Sequence, residues 1–285
     1  MRHIVKKDIL LIDALNELAP ESSRNTLRTW IKDGRVQVDG REVATPSLAL
    51  NPGQTIEVTP HKKKQGAITI IFEDFHIVVI EKPTGLLSVA TNFETKATAH
   101  ALLKERYHPR KVLVIHRLDQ DTSGVMVFAL SPNAYQNLKQ ELKEHKVSRR
   151  YYGIVEGKLE GKGTWTSFLH EDSNYHVHVS HDPTRGEKAI THYEAIHHTK
   201  KYTLVHFQLE TGKKNQIRVQ AAAAGFPIAG DMKYGANESV QRVFLHAAEL
   251  SFLHPITQKP LLFQAPIPKE FLSLLGVSKI PSLKE

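Results

Sequence analysis

Residues 112–128 read VLVIHRLDQDTSGVMVF, two apolar runs, Val112–Ile115 and Val125–Phe128, that close on a polar, charged turn, HRLDQDTSG at 116–124. Each run has the length and the branched side chains of a buried strand. A turn gripped by buried strands on both sides can hold a reactive side chain rigidly and still expose it. Elements of the same kind surround it. Upstream, ITIIFED and HIVVIEKP read as strands, the second closed by Lys82–Pro83 and Gly85. Downstream, Ser131–Pro132 starts a helix with Tyr135, Leu138 and Leu142 on one face. VSRRYYGIVEG (147–157) and YTLVHFQL (202–209) read as further strands, the latter alternating Thr203, Val205, Phe207 and Leu209. TGKKNQIRVQAAAAG then forms a loop that enters an Ala-rich helix ending at Gly225.

The 285 residues carry 38 Lys and Arg against 30 Asp and Glu, a formal charge of +8, and no cysteine. Without cysteine there are no disulfides, no thiolate-bound zinc or iron–sulfur cluster and no thiol catalysis. No apolar run reaches membrane-spanning length; the nearest, ITIIFEDFHIVVI, is broken by Glu73, Asp74 and His76. Asp8, Asp13 and Glu17 interrupt what would otherwise resemble a signal peptide, so the expected compartment is the cytoplasm. A +8 excess favours a polyanionic partner.

The charge is not where a nucleic-acid site would first be sought. Residues 1–60 hold eight cations and eight anions, 61–66 (HKKKQG) add +3, and the rest supplies +5. In the first segment the arrangement matters instead. Ser22 and Ser23 can cap a helix through RNTLRTWIKD that stops at Gly34. On it Arg24, Arg28, Lys32 and Arg35 fall within about 80° of arc, at about 100° per residue. Leu27, Trp30 and Ile31 form the adjoining apolar arc. A stripe of cations beside a buried seam suits phosphates, which require charge but little shape; a solvated helix face is the bland reading. Leu11, Leu15 and Leu18 make a second seam, and VQV–Asp39–Gly40–REV is a hairpin signal.

These residues carry a resemblance. SRNTLRTWIKDGRVQVDGREV resembles the S-four-type RNA-binding domain, over roughly the first fifth of the chain. HRLDQDTSG resembles the signature of pseudouridine synthases of the RluA type. EKPTGLLSV (81–89), VSRRYYGIVEG, LETGKKNQIRVQ (209–220), GFPIAGDMKYG (225–235) and FLHAAELSFLHPIT (244–257) follow the family's order. The resemblance implies an S-four-like α/β RNA-binding domain over 1–60, a basic linker over 61–66 and a catalytic domain over 67–285. The catalytic domain is then α+β with a mainly antiparallel sheet and an RNA cleft.

It also implies the chemistry. Pseudouridine formation breaks the glycosidic bond at uracil N1, turns the base and rejoins the sugar at C5, with no cofactor and no metal. One ionised, immobile carboxylate acts on the sugar. Asp119 matches the family's catalytic Asp, Tyr151 its active-site Tyr and Arg218 its active-site Arg. Asp121 falls at a variable position and is assigned no role. A bidentate Arg218–Asp119 pair is expected to keep the carboxylate ionised in a drying pocket. Arg117 resembles the Arg that holds the RNA open around a flipped base; a guanidinium can stack on neighbouring bases. His116 shapes the loop and is placed with Arg117 at the RNA, as are Lys213 and Lys214. The chain departs from the family pattern TGRTHQIRVH at Asn215 and Gln220, both His there, and at Arg149, where Lys is commoner.

Two other readings stay open. A non-catalytic RNA-binding or ribosome-assembly factor would lack the Asp, Tyr or Arg, and all three are present. A hydrolytic glycosidase would want a second carboxylate, and none is legible. His170, His176, His178 and His181 form a cluster, with His176 and His178 on one strand face. With no Cys nearby it reads as a polar hairpin face rather than a metal site. The expected substrate is large-subunit ribosomal RNA, with transfer RNA the alternative, and the chain is expected to be monomeric.

Overall fold

The computed structural model describes residues 2–280 except 21, 33, 59–67, 91–96, 174 and 238–239. The chain divides into two compact units, Met1–Gln65 and Gly66–Glu285. The 61–66 stretch read as a linker lies outside the described residues.

In the first unit, β1 (Arg2–Ile4), β2 (Ile9–Leu10), α1 (Leu11–Leu18), α2 (Arg24–Lys32), β3 (Val36–Val38), β4 (Arg41–Glu42), β5 (Ala49–Leu50) and β6 (Thr55–Val58) follow in order. A four-stranded sheet runs β1-β6-β3-β4, and β2 pairs with β5. Leu11 and Leu15 of α1 meet Leu27 and Ile31 of α2 in a core completed by Val36, Val38 and Ile56. Asp39 (φ 51°) and Gly40 (φ 78°) make the β3–β4 turn, the left-handed pair a two-residue hairpin demands. Ser23 caps α2, its Oγ accepting from the Thr26 N–H at 3.2 Å.

One expectation is corrected. The helix stops at Lys32, and Gly34 (φ 66°) turns the chain, so Arg35 is off the helix and lies over the Trp30 ring at 5.0 Å. Arg24 is also engaged, bound to Asp13 at 2.8 Å. The stripe of four is therefore reduced to Arg28 and Lys32 as exposed helix cations with no ion pair among the described residues.

The second unit is built on one sheet. Its strands are β7 (Thr69–Glu73), β8 (Ile77–Lys82), β9 (Leu113–Val114), β10 (Ser123–Ala129), β11 (Ser148–Glu156), β12 (Lys162–Glu171), β13 (Val177–Ser180), β14 (Glu187–His198), β15 (Tyr202–Leu209), β16 (Leu245–Leu253) and β17 (Pro260–Gln264). Between them lie α3 (Ala99–Arg106), α4 (Pro132–Lys143) and α5 (Gln216–Ala223), with α6 (Lys269–Leu275) last. The order is β13-β12-β14-β15-β11-β16-β10-β8-β7, with β17 on β16 and β9 on β10. Among the described strands of this sheet only β10–β16 pairs in parallel; the others pair antiparallel. β10 is buried on both faces because α3 and its apolar neighbours cover one and α4 the other, which is why its sequence is a continuous apolar run. No helix of the described residues is long and apolar enough to cross a membrane.

Candidate active site

The 116–122 loop is held by buried polar contacts. Ser88 Oγ donates to the Leu118 carbonyl at 2.6 Å and accepts the Leu118 N–H at 3.0 Å. Lys82, fully buried, donates to the carbonyls of Leu86 (2.8 Å), Pro83 (3.0 Å) and Gln120 (3.2 Å). At the loop's end, Ser123 Oγ lies 2.7 Å from His246 Nδ1 and accepts from Arg242 Nη2 at 2.7 Å. Gly124 is needed there: a Cβ would stand 2.1 Å from the Ala247 carbonyl oxygen, so only glycine lets β10 and β16 meet. The loop is thus pinned at both ends, and Asp119 sits at its apex.

Asp119 lines a cavity of about 800 Å³, together with His116, Arg117, Tyr151, Lys213 and Lys214 among others. Its side chain is 19% exposed, enough to be reached. Arg218 approaches it, but the expected bidentate pairing is wrong. Arg218 Nη1 stands 3.8 Å from Asp119 Oδ2. Its fork is taken by Asp231, Nε to Oδ2 at 2.6 Å and Nη2 to Oδ1 at 2.8 Å. Asp231 is better placed for this because it is wholly buried beside α5, where a partnerless guanidinium would be costly. Burial works against the Arg218 cation, but the bonds and charge of Asp231 outweigh it and raise its pKa.

What binds Asp119 directly is Asn215. The amide end facing Asp119 lies closest to the two carboxylate oxygens, which assigns it as NH2. It donates to Oδ2 at 2.9 Å and Oδ1 at 3.0 Å, while the amide oxygen accepts from the Tyr234 hydroxyl at 2.8 Å. Asn215 holds φ 53° at the start of α5, a left-handed position that Asn tolerates. The sequence signalled Asn215 only as a departure from His and gave Asp231 no role, although it lies inside the quoted 225–235 stretch.

Burial pushes the Asp119 carboxyl above its ordinary 3.8, while Arg218, the Asn215 backbone N–H and Arg117 pull it back. A carboxylate with a raised pKa is lost as pH falls through that value, so activity that needs it declines on an acidic limb above 3.8. Asn215→Gly keeps the left-handed backbone and its N–H but removes two donors to the charged form. Single-turnover rates against pH should show this limb moved to higher pH by about 1 unit, the scale of a lost charge-assisted hydrogen bond. An unmoved limb would exclude the amide as the brace.

Tyr151 is 7% exposed on β11, and burial pushes its phenol up to about 12, with Arg149 pulling it down and Asp119 pushing it up. His116, read as shaping the loop and placed at the RNA, is tied to β10. Its Nε2 accepts from the Val127 N–H at 3.3 Å, and burial takes its pKa to about 3, so the ring stays neutral. Lys213 and Lys214 reach the cavity but are ion-paired with Glu187 and Glu171. Arg117 is exposed at the rim. The sequence reading missed Lys139, Lys143 and Lys188, which line the same cavity with no ion pair among the described residues.

Residues 76–223 match the RNA pseudouridylate synthase family, and residues 11–56 the S4 domain. The chain belongs to the RNA pseudouridylate synthases. It is 34% identical over 95% of its length to a ribosomal large subunit pseudouridine synthase D of Xanthomonas campestris pv. campestris, covering 89% of that protein. It is 31% identical over 94% of its length to an uncharacterized RNA pseudouridine synthase of Bacillus subtilis, covering 93% of it. Among solved structures, human RNA pseudouridylate synthase domain containing 4 superposes with a TM-score of 0.61 at 22% identity, over 75% of this chain and 95% of that one. That likeness concerns the fold, an α+β unit on a mainly antiparallel sheet.

The histidine cluster of the synthase packs as rings. His170 and His178 pair across β12 and β13 with centroids 5.5 Å apart, and His178 Nε2 binds Asp172 at 2.8 Å. Among the described residues no three His, Asp or Glu converge as metal ligands.

Proposed function

We propose that this synthase converts uridine to pseudouridine in large-subunit ribosomal RNA, with Asp119 acting on the ribose, Tyr151 against the uracil and Arg218 supplying the counter-charge. The observation that carries the assignment is Asp119 itself: a reachable carboxylate on a pinned loop, backed by a buried cation and amide donors. The cavity of about 800 Å³ has room for a nucleotide drawn out of its stack. The names of the relatives, ribosomal large subunit pseudouridine synthases, support the choice of RNA. The test is incubation with unmodified large-subunit ribosomal RNA carrying tritium at uridine C5. Release of tritium is expected; release from transfer RNA alone would move the substrate.

Arg28 and Lys32 are read as phosphate contacts of the first unit. Replacing both by Ala should lower the slope of log affinity against log salt by about 1.4–1.8, the counterion release of two contacts. Fluorescence anisotropy across a salt series measures it, and an unchanged slope would free α2 from the interface.

A further inference from the structure

Two buried arginines stand near Asp119, and among the described residues only one has a carboxylate partner. Arg218 has Asp231. Arg149 lies two residues before Tyr151 on β11, hence on the same face, opposite Leu209 where Tyr151 is opposite Phe207. It is 8% exposed and lines the cavity. No carboxylate among the described residues stands within ion-pair distance of it. Its Nε is buried without a hydrogen-bond partner, and its one hydrogen bond there runs from Nη2 to the Glu210 carbonyl at 3.3 Å. A buried charge left so is costly unless a ligand completes it.

A second observation shows that this placement is provided for. Gly212 has no left-handed φ that would explain a glycine. A Cβ there would stand 2.2 Å from Arg149 Nη1 and 3.2 Å from its Cζ. The glycine keeps open the space through which the guanidinium enters the cavity.

We propose that Arg149 is a catalytic residue that stabilises the uracil anion as the glycosidic bond breaks. The proposal rests on the uridine-isomerising reading given above. When C1′–N1 breaks, its electron pair goes to N1 and spreads onto O2 and O4. The guanidinium donates hydrogen bonds to that developing charge, and no proton moves in this step. C1′ is left electron-poor beside the Asp119 carboxylate. The turned anion gives a pair from C5 to C1′, the C5 proton passes to water and N1 takes a proton from water, so charge and atoms balance. Charge placed in advance where charge develops, away from water, is an effective form of catalysis. The base is the better ligand than a phosphate on grounds of depth. Arg117, Lys139, Lys143 and Lys188 offer cations along the same cavity, all exposed and hydrated, where a phosphate keeps part of its water. Arg149 is buried beside Tyr151, where only an extruded base would enter.

The test uses the full chain and two RNAs, one with uridine and one with 5-fluorouridine at the target. Fluorine withdraws electrons and makes the pyrimidine a better leaving anion, so it lessens the help that Arg149 gives. Single-turnover conversion is followed by digestion and mass spectrometry, with RNA affinity and melting temperature measured alongside. C5 of the fluorinated base has no proton to lose, so its C-glycoside product keeps the fluorine and gains the mass of one water, added as hydroxyl at C6 and hydrogen at N1. Arg149→Met should slow uridine about 100-fold or more, the scale of losing one such donor. The loss on 5-fluorouridine should be at least about tenfold smaller, with affinity within about threefold of the parent. Gly212→Ala, which displaces the guanidinium without removing it, should shift the ratio of the two substrates the same way. Arg149→Lys, which keeps the charge, should shift it least. Equal losses on both RNAs with weakened binding would make Arg149 a phosphate contact and overturn the proposal. So would an Arg149→Met rate within about threefold of the parent. If Arg149→Met does not fold, the substrate ratio of Gly212→Ala decides. A parent enzyme that releases no tritium would instead overturn the uridine reading itself.

Discussion

Asp119→Asn should abolish tritium release, by about 10⁴-fold or more, while leaving the melting temperature unchanged or slightly raised. The first half follows from the reaction, since an amide can neither attack the sugar nor take its proton, and removing such a group typically costs four to six orders of magnitude. The second half follows from the surroundings. Arg218 keeps both hydrogen bonds to Asp231 when Asp119 loses its charge, so no buried cation is stranded. Burial raises the Asp119 pKa, so folding favours its neutral form. The sign is that of a carboxyl whose folded-state pKa exceeds the unfolded one: its contribution to stability improves as pH falls and is adverse above both values. Wherever Asp119 is ionised the fold bears a cost that Asn removes, as expected where a group is kept for chemistry. Tritium release and thermal unfolding on the same preparation check both halves. A variant that turns over within about tenfold of the parent would remove Asp119 from the mechanism.

The parts legible in the sequence were those decided by local physics. The β3–β4 turn at Asp39–Gly40 and the Ser131 cap of α4 each rest on a few adjacent residues. β10 was legible because burial on both faces leaves no polar position to confuse it. β12 and β14, the longest strands, were not identified as strands from the sequence. Their inward positions mix Trp165, Ser167, Thr191 and Tyr193 with aliphatics, so the period-2 signal is diluted. Arg35 was placed on the cationic stripe because a helical wheel extends an ideal helix past its end; Gly34 ends it first. In the site, family likeness singled out Asp119, Tyr151 and Arg218, but not who binds whom. Arg218 could satisfy its fork with either acid, and the choice depends on depth. Asp231 is 1% exposed, placed after Gly230 at φ 77°, a turn that no periodicity encodes. Asn215 stood out only as a departure from His for the same reason, since its work is done through a left-handed backbone that aims the amide.

Asp231→Ala should be the most destabilising single change in the catalytic unit. It leaves the Arg218 guanidinium, 6% exposed, without the two bonds that satisfy it. Breaking a buried pair from one side typically costs about 3–5 kcal/mol. At about 2–4 °C per kcal/mol for a unit of this size, the melting temperature should fall by about 6–20 °C. The 3.8 Å approach to Asp119 limits the loss only by drawing the guanidinium toward that carboxylate. The replacement of both partners separates stability from function. Arg218→Met with Asp231→Leu puts apolar groups of similar reach where the pair stood, and such replacements are often neutral or stabilising. The double variant should recover most of the melting temperature and still release no tritium, because Asp119 has lost the Arg218 charge, the largest of the effects that hold its pKa down against burial. Thermal unfolding and tritium release on the parent, the single and the double variants measure this. An Asp231→Ala protein as stable as the parent would show that Asp231 is not what holds Arg218. A double variant with near-parent activity would show that Asp119 works without the cation, through the Asn215 donors alone.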